Sequence, residues 1–459
     1  MKRRSFNTAL ALLGAGALAG CAPAWRPAPP LASVAAPDAW REPNAGSAGV
    51  DPAWWHGFGD PVLSALVEAA LARNSDVLIA VARVDEARAQ AELAEAARLP
   101  ALNGAIGVQA GRALESTGIS NSKVVQPSLQ ANWEIDLFGR IRTQIRAAAL
   151  QYRASQAERD AAALAVAAST AQNYIALLAL DEQLRITRET VASRAEALRL
   201  ASDQARVGYI SQLQLTQAQS EYQSVLQSIP ELELAMRRQE NAVRVLAGEL
   251  PGAVQRGKSF RDLVLPPVPA ALPSQLLARR PDVVQRELLL AAADAGLALR
   301  RQAFLPQVTL TAQLGSIFID ALDYDPVSVW SVGGSVLAPL FSGGRLRAQY
   351  DASASARDQA AFAYRRTVLT AFSEVENALA GVPRLQEQVG HALQRREILT
   401  RSLGYARDRY RAGYASYLEE LDAQRNLFQV ELSLVTLQRT QIENLIGLYR
   451  ALGGGWSAS

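Results

Sequence analysis

The 459 residues carry 47 Lys plus Arg against 44 Asp plus Glu, a formal net charge of +3, with one Cys and two His. A single cysteine excludes an intramolecular disulfide, and His56 and His391, far apart in the chain, outline no metal cluster. Near-balanced charge lacks the basic patch that nucleic acid demands, so neither a cofactor, a metal nor a nucleic acid is expected.

Lys2, Arg3 and Arg4 precede an apolar run that ends in Leu18-Ala19-Gly20-Cys21. This pattern reads as a secretory signal peptide over residues 1–20 with a lipobox, Cys21 becoming the acylated first residue of the mature chain. Ala at position 22 is similar to the outer-membrane sorting rule of bacterial lipoproteins. Loss of residues 1–20 removes three basic groups and no acidic one, leaving 44 of each sign. No uninterrupted apolar stretch of about 18 residues follows, so no transmembrane helix is expected and any membrane role falls to strands or lipid.

Residues 21–61 are rich in Pro, Ala and Trp and read as an extended tether. His56 is expected to pack within the aromatic turn around Trp54, Trp55 and Phe58. A first repeat over residues 62–250 begins with two helices, about 62–73 and 75–99, the second capped by Asn74-Ser75-Asp76 and stopped by Pro100. The period then changes from 3.6 to 2. Val125, Leu129, Trp133 and Leu137 alternate with Gln126, Gln130, Glu134 and Asp136, giving a strand hairpin over about 101–137. Segments of about ten alternating residues suit an outer-membrane barrel, although a half-buried soluble sheet alternates in the same way.

Next, residues 141–207 contain no Gly or Pro in 67 positions, predicting one helix over about 140–206 and on the order of 100 Å long. Gly208 ends it in a tip at 207–210, and a return helix runs to 248 with Pro230 expected to kink or break it. Residues 251–272, rich in proline, form an irregular linker.

The text then repeats. Arg140-Ile141-Arg142 returns as Arg345-Leu346-Arg347 and Arg206-Val207-Gly208-Tyr209 as Arg411-Ala412-Gly413-Tyr414, both at an offset of 205. The second repeat, 273–453, accordingly holds helices, a hairpin at about 307–340, a long helix at about 344–411, a tip at 412–415 and a return helix. Pro383 is expected to kink or break its long helix, and Gly381, Gly390 and Gly404 to weaken it. The tail, 454–459, is expected to be mobile. Four strands cannot close a barrel, which requires about eight, so the chain must oligomerise; three copies supply twelve.

Trp54-Trp55, Phe58 and Asp60-Pro61, Asp136-Leu137-Phe138-Gly139-Arg140, Pro339-Leu340-Phe341-Ser342-Gly343-Gly344, and Tyr410-Arg411-Ala412-Gly413-Tyr414 with Leu421-Asp422-Ala423-Gln424-Arg425 occur in an order that resembles the TolC-like outer membrane factors. More narrowly the chain looks like their lipoprotein branch serving resistance-nodulation-division efflux systems. The resemblance implies an α+β membrane protein: a homotrimer with four strands per chain in a shared 12-strand β-barrel, plus a long α-helical barrel crossing the periplasm. It implies a passive exit duct in the outer membrane that docks a periplasmic adaptor (membrane fusion) protein and an inner-membrane pump. The docking tips are then Arg206, Gly208 and Tyr209 with Arg411, Gly413 and Tyr414. Leu418, Asp422 and Arg425 fall along one side of a helix and, by the resemblance, narrow the lumen as a gate; by spacing alone Asp422 and Arg425 are an ordinary surface pair. No phosphate loop, nucleophile elbow or zinc-binding His pair suggests an enzyme. The alternatives are a periplasmic adaptor, which would carry one hairpin rather than two, and a structural coiled-coil lipoprotein, which would lack strands.

Overall fold

The computed structural model describes residues 23–42, 49–115, 118–269, 272–319, 326–454 and 456; Cys21 and its predicted acylation lie outside them. The described residues form eight helices and four strands: α1 (Pro61–Arg73), α2 (Ser75–Ala96), β1 (Ala101–Glu115), β2 (Gly118–Ile135), α3 (Arg140–Arg206), α4 (Gln212–Leu246), α5 (Pro273–Arg279), α6 (Pro281–Gln302), β3 (Gln307–Ile319), β4 (Val327–Leu337), α7 (Arg345–Arg411) and α8 (Tyr417–Ala451). The chain is thus α+β, and its duplication is visible in the lengths. Both long helices have 67 residues, both return helices 35, and α2 and α6 22 each.

The chain divides into two compact units, one built on residues 1–33, 83–156 and 285–365, the other on 34–82, 157–284 and 366–459. The first holds a four-stranded antiparallel sheet in the order β1-β2-β3-β4. Its register keeps like with like on each face. Leu102 lies opposite Ala131, Leu129 opposite Leu314, and Leu314 opposite Trp330, while Asn103, Gln130, Gln313 and Ser331 pair along the other face. The apolar face is bare: Ile106 is 74% exposed, Val108 75%, Trp330 75% and Val332 74%. A soluble sheet would bury that face against its own helices. Among the described residues nothing does so.

The extended segment after residue 22 is strapped along the start of α7. Tyr350 donates to the Ala24 carbonyl at 2.8 Å, Arg357 to the carbonyls of Arg26 and Pro27 at 2.9 Å each, and Arg365 to those of Leu31 and Ser33. Such donors satisfy carbonyls that an extended chain cannot pair by itself.

In the second unit, Asp60 caps α1, accepting from the N–H groups of Val62 and Leu63. Its other carboxylate oxygen accepts from the Tyr174 hydroxyl of α3 and from Lys258 N–H, both at 3.0 Å, so one buried carboxylate ties α1, α3 and the linker together. Trp54 stacks on Tyr449 of α8 with ring centroids 5.5 Å apart, and Phe58 and Leu63 are fully buried beside it. His56 packs at the edge of this turn, its ring centroid 5.9 Å from that of Trp55. Its outer side is exposed, with Nδ1 2.9 Å from the Ser64 hydroxyl, because the turn aims Trp54 and Phe58 inward and leaves Trp55 half-buried between them.

The expectation for the two prolines is corrected. Neither Pro230 nor Pro383 breaks its helix: α4 and α7 run through them, each forfeiting one N–H donor inside a long, packed element. Of the tail, residues 455 and 457–459 lie outside the described residues; the Trp456 indole N–H donates to Asp160 at 2.8 Å. One 18-residue window of α3 is apolar enough to cross a bilayer, but 56% of it is buried inside the chain, as in a core helix.

Gly381 marks a close approach, not a weak point. A Cβ there would lie 2.4 Å from Asn444 Oδ1 of α8, while Asn444 Nδ2 donates to the Ala378 carbonyl at 2.9 Å. At the offset of 205 the first repeat has Ala176 and Gln239, and Gln239 Nε2 makes the matching bond to the Asn173 carbonyl at 2.8 Å. The longer amide reaches from further away, so Ala fits; the shorter one requires Gly. Gly→Ala inside a helix ordinarily stabilises by about 0.5–1 kcal/mol. Here Gly381→Ala is expected to destabilise by about 1–3 kcal/mol through overpacking. The double variant Gly381→Ala/Asn444→Gln, which rebuilds the first-repeat pair, recovers most of that loss in denaturant melts; no recovery would refute this account.

Candidate functional site at the helix tips

Both long helices end in the same way. Gly208 N–H donates to the Ala205 carbonyl and Tyr209 N–H to that of Gln204; Gly413 and Tyr414 repeat this with Tyr410 and Arg409. Each is a Schellman turn, which requires the left-handed φ of +76° at Gly208 and +80° at Gly413. Ser211 then caps α4 with a capping box, Gln214 returning the bond. The two turns are neighbours: a Cβ at Gly413 would be 3.6 Å from the Tyr209 hydroxyl. Tyr410 links α7 to α3 by donating to Gln204 Oε1 at 2.7 Å.

Under the turns lies a small core of Ala201, Ala218, Tyr417 and Leu421, with Ile210 and Leu215 packed on it. It leaves the tip side chains free. Tyr209 is 70% exposed and Tyr414 82%, Arg411 is exposed, and Arg206 pairs with Asp203 at 3.1 Å. Six sequence-selected tip residues are therefore brought together at one end of this unit, on rigid helix termini.

Leu418, Asp422 and Arg425 do share a face of α8. They lie on its exposed side, next to the buried Tyr417, Leu421 and Gln424. Yet Arg425 is not paired with Asp422. It reaches Glu221 of α4, and the same carboxylate lies 3.8 Å from Arg194 of α3, whose side chain is 2% exposed. The hydrogen bond from Arg425 holds Glu221 below its ordinary value of 4.5 against the opposing effect of burial, and both guanidinium charges add to the depression. Burial pushes Arg194 the other way, below the usual guanidinium value.

Sequence reasoning missed Glu221 and Arg194. The available signal was Arg194 itself, placed on a stripe where Thr187, Ala197 and Ala201 face inward, since an arginine on a buried stripe demands an acidic partner. Among the described residues no group of three or more His, Cys, Asp and Glu side chains is placed to hold a metal ion.

The family profile described as Outer membrane efflux protein matches the chain twice, over residues 66–249 and 272–454, once per repeat. The chain belongs to the outer membrane efflux protein family. It is 34% identical to the pyoverdine export outer membrane protein OpmQ of Pseudomonas aeruginosa, over all of this chain and 98% of that one. It is 31% identical to the probable outer membrane lipoprotein SilC of Salmonella typhimurium, over 88% of each. Among solved structures, the outer-membrane channel OprN superposes with a TM-score of 0.86 at 26% identity, covering 95% of this chain and 99% of that one. This efflux protein is thus an outer-membrane channel, and its family is one of channels rather than enzymes.

Proposed function

We propose that three copies of the chain close a 12-strand barrel in the outer membrane and form the exit duct of a tripartite pump, fed by a periplasmic adaptor and an inner-membrane resistance-nodulation-division transporter. One observation carries this reading: a sheet whose apolar face is bare and whose outer strands, β1 and β4, each have an unpaired edge. Open edges are not tolerated in lipid, so β4 of one copy must pair with β1 of the next until the ring closes. A duct needs no bound cofactor and no energy of its own; cargo passes down its gradient through a polar lumen.

The gate is placed at Leu418, Asp422 and Arg425, with Glu221 as the partner that holds Arg425. Because the folded pKa of Glu221 is depressed, the pair is complete above the ordinary value of 4.5 and lost only as pH falls through the folded value. Reconstituted trimers in planar bilayers are expected to show low conductance at neutral pH, rising on acidification below about 4.5. Glu221→Gln should raise conductance already at neutral pH, and Asp422→Ala/Arg425→Ala should do likewise. Unchanged conductance in both variants would move the gate elsewhere.

Adaptor docking is assigned to the two turns, where Arg206 and Arg411 flank Gly208-Tyr209 and Gly413-Tyr414. Charge reversal at both arginines should leave trimers in the outer membrane while reducing crosslinking to the adaptor; undiminished crosslinking would overturn the placement.

The anchor is assigned to Cys21. Cells fed a labelled fatty acid should incorporate it into the native chain and not into Cys21→Ser, and label persisting in that variant would refute acylation there.

A further inference from the structure

The antiparallel order sends the start of β1, the end of β2, the start of β3 and the end of β4 to one end of the sheet, where Ala101 lies opposite Asn132, Ile135 opposite Val308, and Gln307 opposite Leu337. At that end the strand-to-helix junctions carry apolar side chains that the described residues leave uncovered. Phe341 is 92% exposed and Leu340 86%, and the corresponding junction after β2 presents Leu137 at 60% and Phe138 at 46%. The helix termini at the same end carry cations. Arg300 and Arg301 close α6 just before β3, and Arg345 opens α7 just after β4. All three are exposed, and among the described residues none enters an ion pair or side-chain hydrogen bond.

Elsewhere this protein pairs its arginines freely: Arg140 with Glu134 and Arg142 with Asp136 at the junction after β2, and Arg347, two residues after Arg345, with Asp351. A cluster left unpaired beside bare Phe and Leu has the composition of a bilayer interface, with apolar groups at the acyl boundary and cations at the phosphates. Trp133 reinforces the level. It sits on the apolar face near the same end of β2, half in the open, with its indole N–H donating to the Arg98 carbonyl at 3.0 Å. An amphipathic ring so placed suits the headgroup boundary.

We infer that the junctions around Leu137-Phe138 and Leu340-Phe341, with Arg300, Arg301 and Arg345, form a collar that binds the headgroups of anionic phospholipids on the periplasmic side of the outer membrane. The occupant is lipid and not a second protein, because the patch continues the lipid-facing side of the sheet and adds positive charge to it. The collar fixes the depth of the barrel: the apolar strands alone would allow it to slide, whereas phosphates bound at one end set where the strands stop. This inference rests on the barrel proposed above.

The test uses full-length trimers in phosphatidylcholine bilayers with and without phosphatidylglycerol. The native chain has only one cysteine, at position 21, so nitroxide labels can be placed singly in a Cys21→Ser background. Accessibility to oxygen and to a water-soluble nickel chelate then reports depth. A label at Val332→Cys, on the apolar face of β4, should be oxygen-accessible and nickel-protected, and one at Gln359→Cys, exposed on α7, the reverse. A label at Phe341→Cys should read at the headgroup boundary, between the two. If Val332→Cys fails to enter lipid, the barrel reading falls; if Val332→Cys enters while Phe341→Cys reads as fully aqueous, the collar alone falls. Protection of Phe341→Cys from both reagents would mean protein contact and would equally overturn it. In parallel, phosphatidylglycerol retained by purified trimers should fall roughly fivefold for each of Arg300→Gln, Arg301→Gln and Arg345→Gln, from about 1 kcal/mol per basic residue at a membrane surface. Retention equal to the native trimer's would refute a headgroup role for these arginines.

Discussion

Lipid offers no hydrogen-bonding partner to a peptide group, and this single constraint orders the rest of the molecule. Each strand must be paired along both sides, yet one chain supplies four strands and leaves β1 and β4 at open edges. The strands are long and their two faces are cleanly sorted by register, so a copy that pairs edge to edge extends the same apolar band without a break. Even Pro127 respects this arrangement. It lies within β2, where it lacks an N–H to donate, and the ladder to β3 skips positions 126 and 127 before resuming at Ser128 opposite Gly315.

The duplication shows what such a scaffold holds fixed and what it lets vary. Helix lengths and turn glycines are kept because backbone geometry depends on them; side chains at equivalent places are exchanged wherever the same bond can be made by another route. Where α4 ends, Asn74 donates to the Leu246 carbonyl at 3.0 Å, and where α8 ends, Arg280 donates to that of Ala451 at 3.2 Å. The second solution brings a buried charge, and so it also brings Asp282 and Glu374, each 2.7 Å from the guanidinium. A neutral amide needs no such retinue. The Gly381 and Asn444 contact is a second case of the same exchange, with side-chain length traded against backbone distance.

What could be read from the sequence follows the same division. The 67-residue run without Gly or Pro and the period-2 alternation are properties of the backbone, so α3 and the strands are legible from composition alone. Pro230 and Pro383 mislead because a local rule was applied to helices whose long-range packing outweighs one lost hydrogen bond. The bond from Trp456 to Asp160, some 300 residues earlier, has no local signal in the sequence. The partner of Arg425 was missed for the same reason: i,i+3 spacing suggested Asp422, but Glu221 on another helix was geometrically better placed.

That last displacement has a mechanical consequence. Two guanidiniums share the Glu221 carboxylate, one almost wholly buried and one half exposed. Were Arg425 the sole partner, its departure would strand a largely buried carboxylate, a penalty of several kcal/mol that would hold Arg425 in place. With Arg194 remaining at 3.8 Å, Glu221 keeps a cationic neighbour when Arg425 leaves, and the departing side chain finds water at once. The exposed cation is thereby separable from the fixed pair beneath it. For the gate proposed here, a contact that must break and re-form is better built from a resident buried partner and an exposed one than from two buried groups, because only the first arrangement leaves no uncompensated charge in either state.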